Sequence, residues 1–403
     1  MRPAKLCCAC VAVLVTAGCA PAPPTAQERA TRLARGMIIA DGHVDVPYRL
    51  REKWVDVSVR TESGDFDYER AKAGGLDAPF MSIFVPSERE AEGTAAVLAD
   101  SLIDEVEAIA RAHPNRFAMA RSPDEVEAGF RRGVVSLCMG LENGSPIEGD
   151  LSKLAHFYGR GIRYITLTHA TDNHICDSSY DSTRTWHGLS DFGRELVGAM
   201  NRMGVMVDIS HVSDDAFWQV MALVRAPVIA SHSSCRRFTP GFERNLDDDM
   251  IQTVGENGGV VLINFGSTFL TRVANEWYEA YDRERTHYMD EHGAFRGSEE
   301  AKAFAERYRE ANPFPYAKVA DVADHIDLVV ELAGIDHVGF GSDFEGVGDS
   351  LPEGLKDVSM YPNLVAELLA RGYTEPDIEK IGWLNLSRVW REVERVAAEM
   401  QAE

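Results

Sequence analysis

Eight apolar runs recur along the chain, and most of them end at a polar residue of one chemical kind. In order they are MIIADGHVD, APFMSIFVP, VVSLCMGLEN, YITLTH, VMVDISH, PVIASHSS, GGVVLINF and HVGFGSDF. Short, strongly apolar segments of this length read as buried strands. Their polar endings are His43 with Asp45, then Glu142, His169, His211, His232 and Asp343; the seventh run ends more mildly at Asn264. Between the runs, residues 91–113, 122–132, 151–160, 190–203, 213–224 and 246–256 carry apolar side chains at three- and four-residue spacing. That spacing predicts helices packed on one face. Ser122 followed by Glu125 has capping-box spacing, and Ser213 suits an N-cap.

Alternating strand and helix implies βαβ units and a parallel sheet. Eight such units favour closure into a (β/α)8 TIM-type barrel. In that architecture the functional groups collect at the carboxyl ends of the strands, where the His, Asp and Glu residues lie. Two regions depart from the rhythm. Residues 268–322 are long, charged and rich in Tyr, Phe and Trp. They predict a helical insertion between strands seven and eight that covers the site or forms a subunit contact. Residues 358–403 predict a C-terminal segment of two packed helices completing the outer ring.

Composition narrows the class. The chain has 403 residues, 45% hydrophobic and 26% charged, ordinary for a globular domain with a substantial core. A formal charge of -23 argues against nucleic-acid partners, whose phosphates require clustered Lys and Arg. At the N-terminus, Arg2 and Lys5 precede an apolar stretch over 6–17, shorter than the roughly 20 residues a span needs. Thr16-Ala17-Gly18-Cys19 resembles the lipobox of bacterial lipoproteins, with Cys19 the lipidated residue; a plain secretory signal cleaved near Ala20 is the other reading. The expected division is a signal segment 1–19, a Pro-rich tether 20–30 and one barrel domain 31–403. The expected location is the bacterial cell envelope, as a periplasm-facing lipoprotein held by its N-terminal lipid, or otherwise the periplasm or exterior. Cys138 reads as a core residue. Cys176 and Cys235 are close enough in character to pair in an oxidising compartment, although sequence does not establish it.

The strand endings carry the chemistry. His43 and Asp45 are two apart and so share a side of their strand. Glu142 follows Gly140 and Cys138 on one face, which leaves space near the barrel axis. Its two oxygens suit it to bridge two cations about 3.5–4 Å apart; a salt-bridging loop acid is the alternative. His211 and His232 end neighbouring strands. Five ligands then suffice for two sites, His43, Asp45 and Glu142 for one and Glu142, His211 and His232 for the other. Imidazole and carboxylate together suit a borderline ion such as zinc. Asp208, three residues from His211, is expected to face the helices. Asp343 reads either as an acid/base kept ionised by the cations or as a sixth ligand. His169 reads either as an oxyanion donor or as a structural histidine, and Arg244 as a carboxylate clamp or a helix-start residue paired with a nearby Asp.

Together DGHVD, GLENG, LTHATDN, DISHVS, SHSS with RNLDDD, and GFGSDFEG resemble the membrane (renal-type) dipeptidases, zinc peptidases of the amidohydrolase-like barrels. The resemblance runs from about residue 35 to 350. It implies two zinc ions on His43, Asp45, Glu142, His211 and His232 with Glu142 bridging, substrate contacts from His169 and Arg244, and Asp343 as catalytic acid/base. It also implies dipeptide hydrolysis by a metal-bridging hydroxide, tolerance of a C-terminal D-residue, and pairing into homodimers. Where better-known members often carry a Tyr after Ile263-Asn264-Phe265, this chain has Gly266. Lactonases and deaminases of related barrels often show HxH on strand one and a carbamylated Lys bridge, which HVD and Glu142 count against. A non-catalytic lipoprotein binding metal or peptide would have no use for Asp343 and His169.

Overall fold

The eight apolar runs form eight parallel strands, each hydrogen-bonded to the next in chain order. In the computed structural model, which describes residues 24–403 apart from Arg296, together with Ala4, they span Ile39–Val44, Leu76–Phe84, Val135–Glu142, Ile162–Thr166, Met206–Asp208, Ile229–Ala230, Val260–Ile263 and Val338–Phe340. A further short strand, Phe117–Met119, pairs beside the third and stands off the main path. The last strand returns to the first: Asp343 N donates to His43 O at 3.1 Å and Asp45 N to Phe344 O at 2.9 Å. The sheet is thereby a nearly closed barrel, and its closure lays Asp343 beside the His43/Asp45 pair.

The strands are buried on both faces, as expected where helices cover a parallel sheet. The covering helices include Ala95–Ala112, Pro123–Arg132, Leu151–Arg160, Asp191–Met203, Asp214–Leu223 and Asp248–Glu256, each within a few residues of the segments expected. Ser190, Ser213 and Asp247 cap their helices by accepting a backbone N–H three residues on. At Ser122 the capping box is half made. Its hydroxyl accepts from Glu125 N at 3.3 Å, whereas the Glu125 carboxylate accepts from Arg121 N at 2.6 Å.

Three expectations change, and the question left open at Cys176 and Cys235 is answered. The C-terminal segment is not simply two helices of the outer ring. Tyr361–Ala370 lies there, against Ala26–Gly36 and Val319–Ala333. Asn385–Ala402 instead closes the floor of the barrel, with Trp390 and Leu386 in one cluster with the interior residues Phe80, Cys138, Tyr164 and Met206. A helix begins at Ala26 and is capped by Thr25, so the tether expected over 20–30 does not extend past Thr25. Cys176 and Cys235 are buried and unpaired, each held in its own strand-like bridge, to Leu189 and Leu246. Asp208 turns toward the barrel interior, not the helices. Cys19 and, apart from Ala4, the rest of the 1–19 segment lie outside the described residues. Among the described residues no helix is long and apolar enough to cross a membrane.

The insertion is helical as expected, with Ser267–Leu270, Arg272–His292 and Glu299–Ala311. Its two longer helices are joined by aromatic contacts, Trp277 meeting Tyr308 at 5.3 Å and Phe314 at 4.9 Å between ring centroids. These rings give a strongly charged segment enough apolar area to fold over the barrel mouth.

Trp390 is fully buried and packs 5.4 Å from Phe80. Trp390→Ala removes the central floor side chain, and we expect a loss of about 3–5 kcal/mol in unfolding free energy, read from denaturant titration monitored by far-ultraviolet circular dichroism.

Candidate metal centre and active site

Glu142 stands at the centre of the barrel mouth with its two oxygens turned to different neighbours. Oε2 accepts from Ser82 Oγ at 3.0 Å and lies 3.3 Å from His43 Nε2. Oε1 lies 3.2 Å from His211 Nε2, 3.4 Å from His232 Nε2 and 3.6 Å from His169 Nε2. Asp45 Oδ2 is 3.5 Å from His43 Nε2. The donor atoms form three overlapping groups: His43, Glu142 and His232; Glu142, His169 and His211; His43, Asp45 and Asp343. All five residues expected as ligands therefore meet, and His169 and Asp343 join them at the rim.

The donor set fits divalent cations. His43 Nε2 and Asp45 Oδ1 are buried without hydrogen-bond partners, an arrangement costly for polar atoms unless an ion takes their lone pairs. Mixed imidazole and carboxylate donors suit zinc and its neighbours. No lysine lines the cavity among the described residues, and Glu142 is the carboxylate whose two oxygens face different imidazoles.

Outer contacts fix which imidazole nitrogen faces the cluster. Tyr164 Oη donates to Gly42 O at 3.0 Å and is 2.9 Å from His43 Nδ1. The phenol thus accepts from Nδ1–H and leaves Nε2 free. Ser231 Oγ donates to Asp208 Oδ2 at 2.6 Å and lies 2.7 Å from His232 Nδ1, with the same result for His232. Asp208 also accepts from the backbone N–H groups of Ser210 and Ser231 and from Thr166 Oγ1. Such second contacts orient metal-binding histidines. Strand alternation had placed Asp208 on the far side because His211 is three residues on. The alternation ends at Asp208, and His211 takes a left-handed backbone with φ 70°, which brings both residues inward. The small residues on the Glu142 face do not leave open space either: a Cβ at Gly140 would collide with the Tyr164 ring.

Asp343 has a left-handed backbone too, φ 62°, uncommon for a residue with a side chain and characteristic of constrained sites. Its Oδ2 accepts from Asn264 Nδ2 at 2.8 Å, which gives the seventh strand's mild ending a role. A Cβ at Gly346 would collide with the carboxylates of both Asp343 and Asp45, so only glycine lets this loop close over the pair.

Electrostatics follow from crowding charges away from water. Burial, with Arg244 and neighbouring histidines, holds His211 and His232 well below the ordinary imidazole range, leaving them neutral as ligands must be. Glu142 is held well below the carboxylate range; burial opposes this, but His43 and His169, with the imidazoles of His211 and His232 against it, outweigh it. His43 is raised well above its usual value despite burial, by Tyr164, Glu142 and Asp45. Asp343 is pushed up to about 8 by burial and then by Asp45. The low value expected from the sequence presupposed cations; protein groups alone drive it the other way.

Arg244 is 2% exposed. It donates to Ser233 Oγ at 2.6 Å and His232 O at 2.9 Å, while its Nε has no partner. No Asp is among its partners, so the helix-start reading falls away and a buried cation stands beside the cluster. Above lies a cavity of about 880 Å³ bounded by Glu142, His169, His211 and Asp343 below and by Trp277, Tyr278 and Tyr281 of the insertion above. The insertion therefore roofs the site.

The sequence pattern of the membrane dipeptidases, peptidase family M19, matches residues 27–403. An uncharacterized dipeptidase of Schizosaccharomyces pombe is 31% identical over 397 residues, covering 93% of this chain and 85% of that protein. Among solved structures, the probable dipeptidase PvdM from Pseudomonas aeruginosa superposes with a TM-score of 0.80 at 27% identity, over 92% of this chain and 99% of the other. A metallopeptidase from Rhodobacter sphaeroides, liganded with a phosphinate mimic of the dipeptide L-Ala-D-Ala, gives a TM-score of 0.73 at 27% identity, over 89% and 99%. With the barrel, the two-sided Glu142 and the surrounding imidazoles, this match establishes that the chain belongs to the membrane dipeptidase family, peptidase family M19.

Proposed function

We propose that this metallo-dipeptidase uses two zinc ions, held by His43, Asp45, Glu142, His211 and His232, to hydrolyse dipeptides, including those with a D-residue on the C-terminal side. The observation that carries the reading is Glu142, whose two oxygens face separate imidazole sets beside an unpaired buried arginine. The ligand bound to the Rhodobacter sphaeroides relative, a mimic of L-Ala-D-Ala, supports the stereochemical part. When bound, the ions supply an activated water and polarise the scissile carbonyl.

The chain's own groups do the rest. Arg244 receives the substrate carboxylate with its free Nε edge, a charge-assisted contact strengthened by burial. His169, at the cavity wall, donates a hydrogen bond to the oxygen that gains charge as the carbonyl carbon becomes tetrahedral. Asp343 takes the proton lost by the attacking water and returns it to the leaving amine. Asn264 holds the Asp343 carboxylate in place from the far side. Because Arg244 sits close to the cluster, only a short substrate reaches both, which excludes long peptides.

Three outcomes test this reading. The purified protein cleaves Ala-Ala, loses turnover on chelation and regains it with zinc; Asp343→Asn keeps its metal while kcat falls by about 10²–10⁴-fold. Metal content with no cleavage of any dipeptide would refute it.

Zinc affinity is expected to rise with pH through neutrality. In the metal-free cluster His43 and Asp343 both hold protons at neutral pH, their values being raised, and cations must displace them. Affinity therefore gains about tenfold per pH unit for each proton released, and calorimetry in buffers of different ionisation enthalpy reads that release directly. Heats that do not depend on buffer would contradict the assignment.

Tyr164→Phe and Ser231→Ala each remove one tautomer-setting contact and should weaken zinc binding by about 10–100-fold, measured by competition with a chromophoric chelator. Equal affinity in both variants would show that packing alone orients the rings.

A further inference from the structure

The cavity is far more aromatic than the chain that builds it. Nine of its 25 lining residues are Phe, Tyr or Trp, against 9% of the whole sequence. Its volume of about 880 Å³ falls toward the top of the roughly 300–1,000 Å³ typical of sites for drug-sized molecules. Dialanine would leave most of it to water.

The rings are placed along one side. The Arg244 guanidinium lies 5.4 Å from the Phe269 centroid. Phe269 meets Phe242 edge-on at 5.6 Å, Phe242 meets Tyr180 at 6.1 Å, and Tyr180 lies 6.0 Å from the ligand His211. An aromatic wall thus runs from the carboxylate-receiving arginine to the metal cluster. In the proposed binding mode the residue between scissile nitrogen and terminal carboxylate is the C-terminal one, and its side chain projects along this wall. Tyr278 of the insertion lines the same cavity. Tyr180 and Tyr278 are 48% and 42% exposed, although both belong to a roofed cavity. That accessible ring area is what a planar apolar group would cover.

We propose that the site selects dipeptides whose C-terminal residue carries an aromatic side chain, held along Tyr180, Phe242 and Phe269 and covered by Tyr278. The proposal rests on the dipeptidase reading of the same site and adds its preferred substrate class. Roof and wall come from distant parts of the chain, the loop after the fourth strand, the turn after the sixth and the insertion, so the preference depends on the insertion as folded here.

The test compares kcat/KM for Ala-Phe, with the C-terminal residue in each stereochemical form, against Ala-Ala treated likewise. We expect the better phenylalanine substrate to exceed the better alanine one by at least about tenfold. Phe242→Ala and Tyr278→Ala should each cut that ratio by about tenfold or more, lowering turnover of the phenylalanine substrate much more than that of Ala-Ala. Tyr278 is exposed, so its variant keeps the fold even if Phe242→Ala does not. An equal or inverted ratio in the native enzyme, or a parallel fall on both substrates in Tyr278→Ala, overturns the proposal while leaving the dipeptidase reading intact. Failure to cleave either dipeptide overturns both.

Discussion

A carboxylate almost wholly out of water, ringed by four imidazoles, is the interaction around which this protein is organised. An isolated buried carboxylate is heavily penalised, and removing one partner of such a group leaves the other uncompensated. Glu142 is tolerable because Ser82 and the nitrogens of His43, His169, His211 and His232 surround it. Those groups come from five different strands or strand ends. The first six strands must therefore be in correct register before the charge is compensated. Stability and cation binding are coupled through this one side chain.

The column beneath the site shows how the register is enforced. Trp390 packs on Phe80, Phe80 on Tyr164 at 5.5 Å, and Tyr164 holds His43, whose ring stacks on His232 at 3.8 Å. Gly140 is the gap into which the Tyr164 ring fits. The barrel axis is thus filled with rings from floor to cluster, and each successive ring is a constraint on the next. Catalytic precision needs rigid support of this kind. The roof is organised differently, by aromatic contacts within an inserted pair of helices, which permits the pocket to vary while the ligands stay fixed.

Much of this was legible in the sequence because the pattern is local. Each apolar run is a strand, each polar ending sits where the strand stops, and parallel closure collects the endings at one mouth. His43, Asp45, Glu142, His211 and His232 needed only that logic. What escaped was set by long-range geometry. Tyr164 looked like the start of an apolar run, and nothing near it in sequence announces a hydrogen bond to His43, 121 residues away. Asp208 was misplaced because alternation was carried past the end of a three-residue strand. Ser231, beside His232, was a weak signal that neighbouring hydroxyls deserve a tautomer-setting role. Sequence does not distinguish a floor helix from a ring helix, since the amphipathic pattern is the same whichever surface it covers. Both surfaces demand one apolar face.

Closure between the last strand and the first has a temporal side. The pairing of Asp343 and Phe344 with His43 and Asp45 joins segments separated by about 300 residues, and the floor helix, Asn385–Ala402, comes later still in the chain. A nascent chain carries His43, Asp45, Glu142, His211 and His232 long before it has the strand that shuts the barrel or the tryptophan that fills its base. The candidate ligands therefore wait until the closing strand and the floor helix have been made before they can be held together.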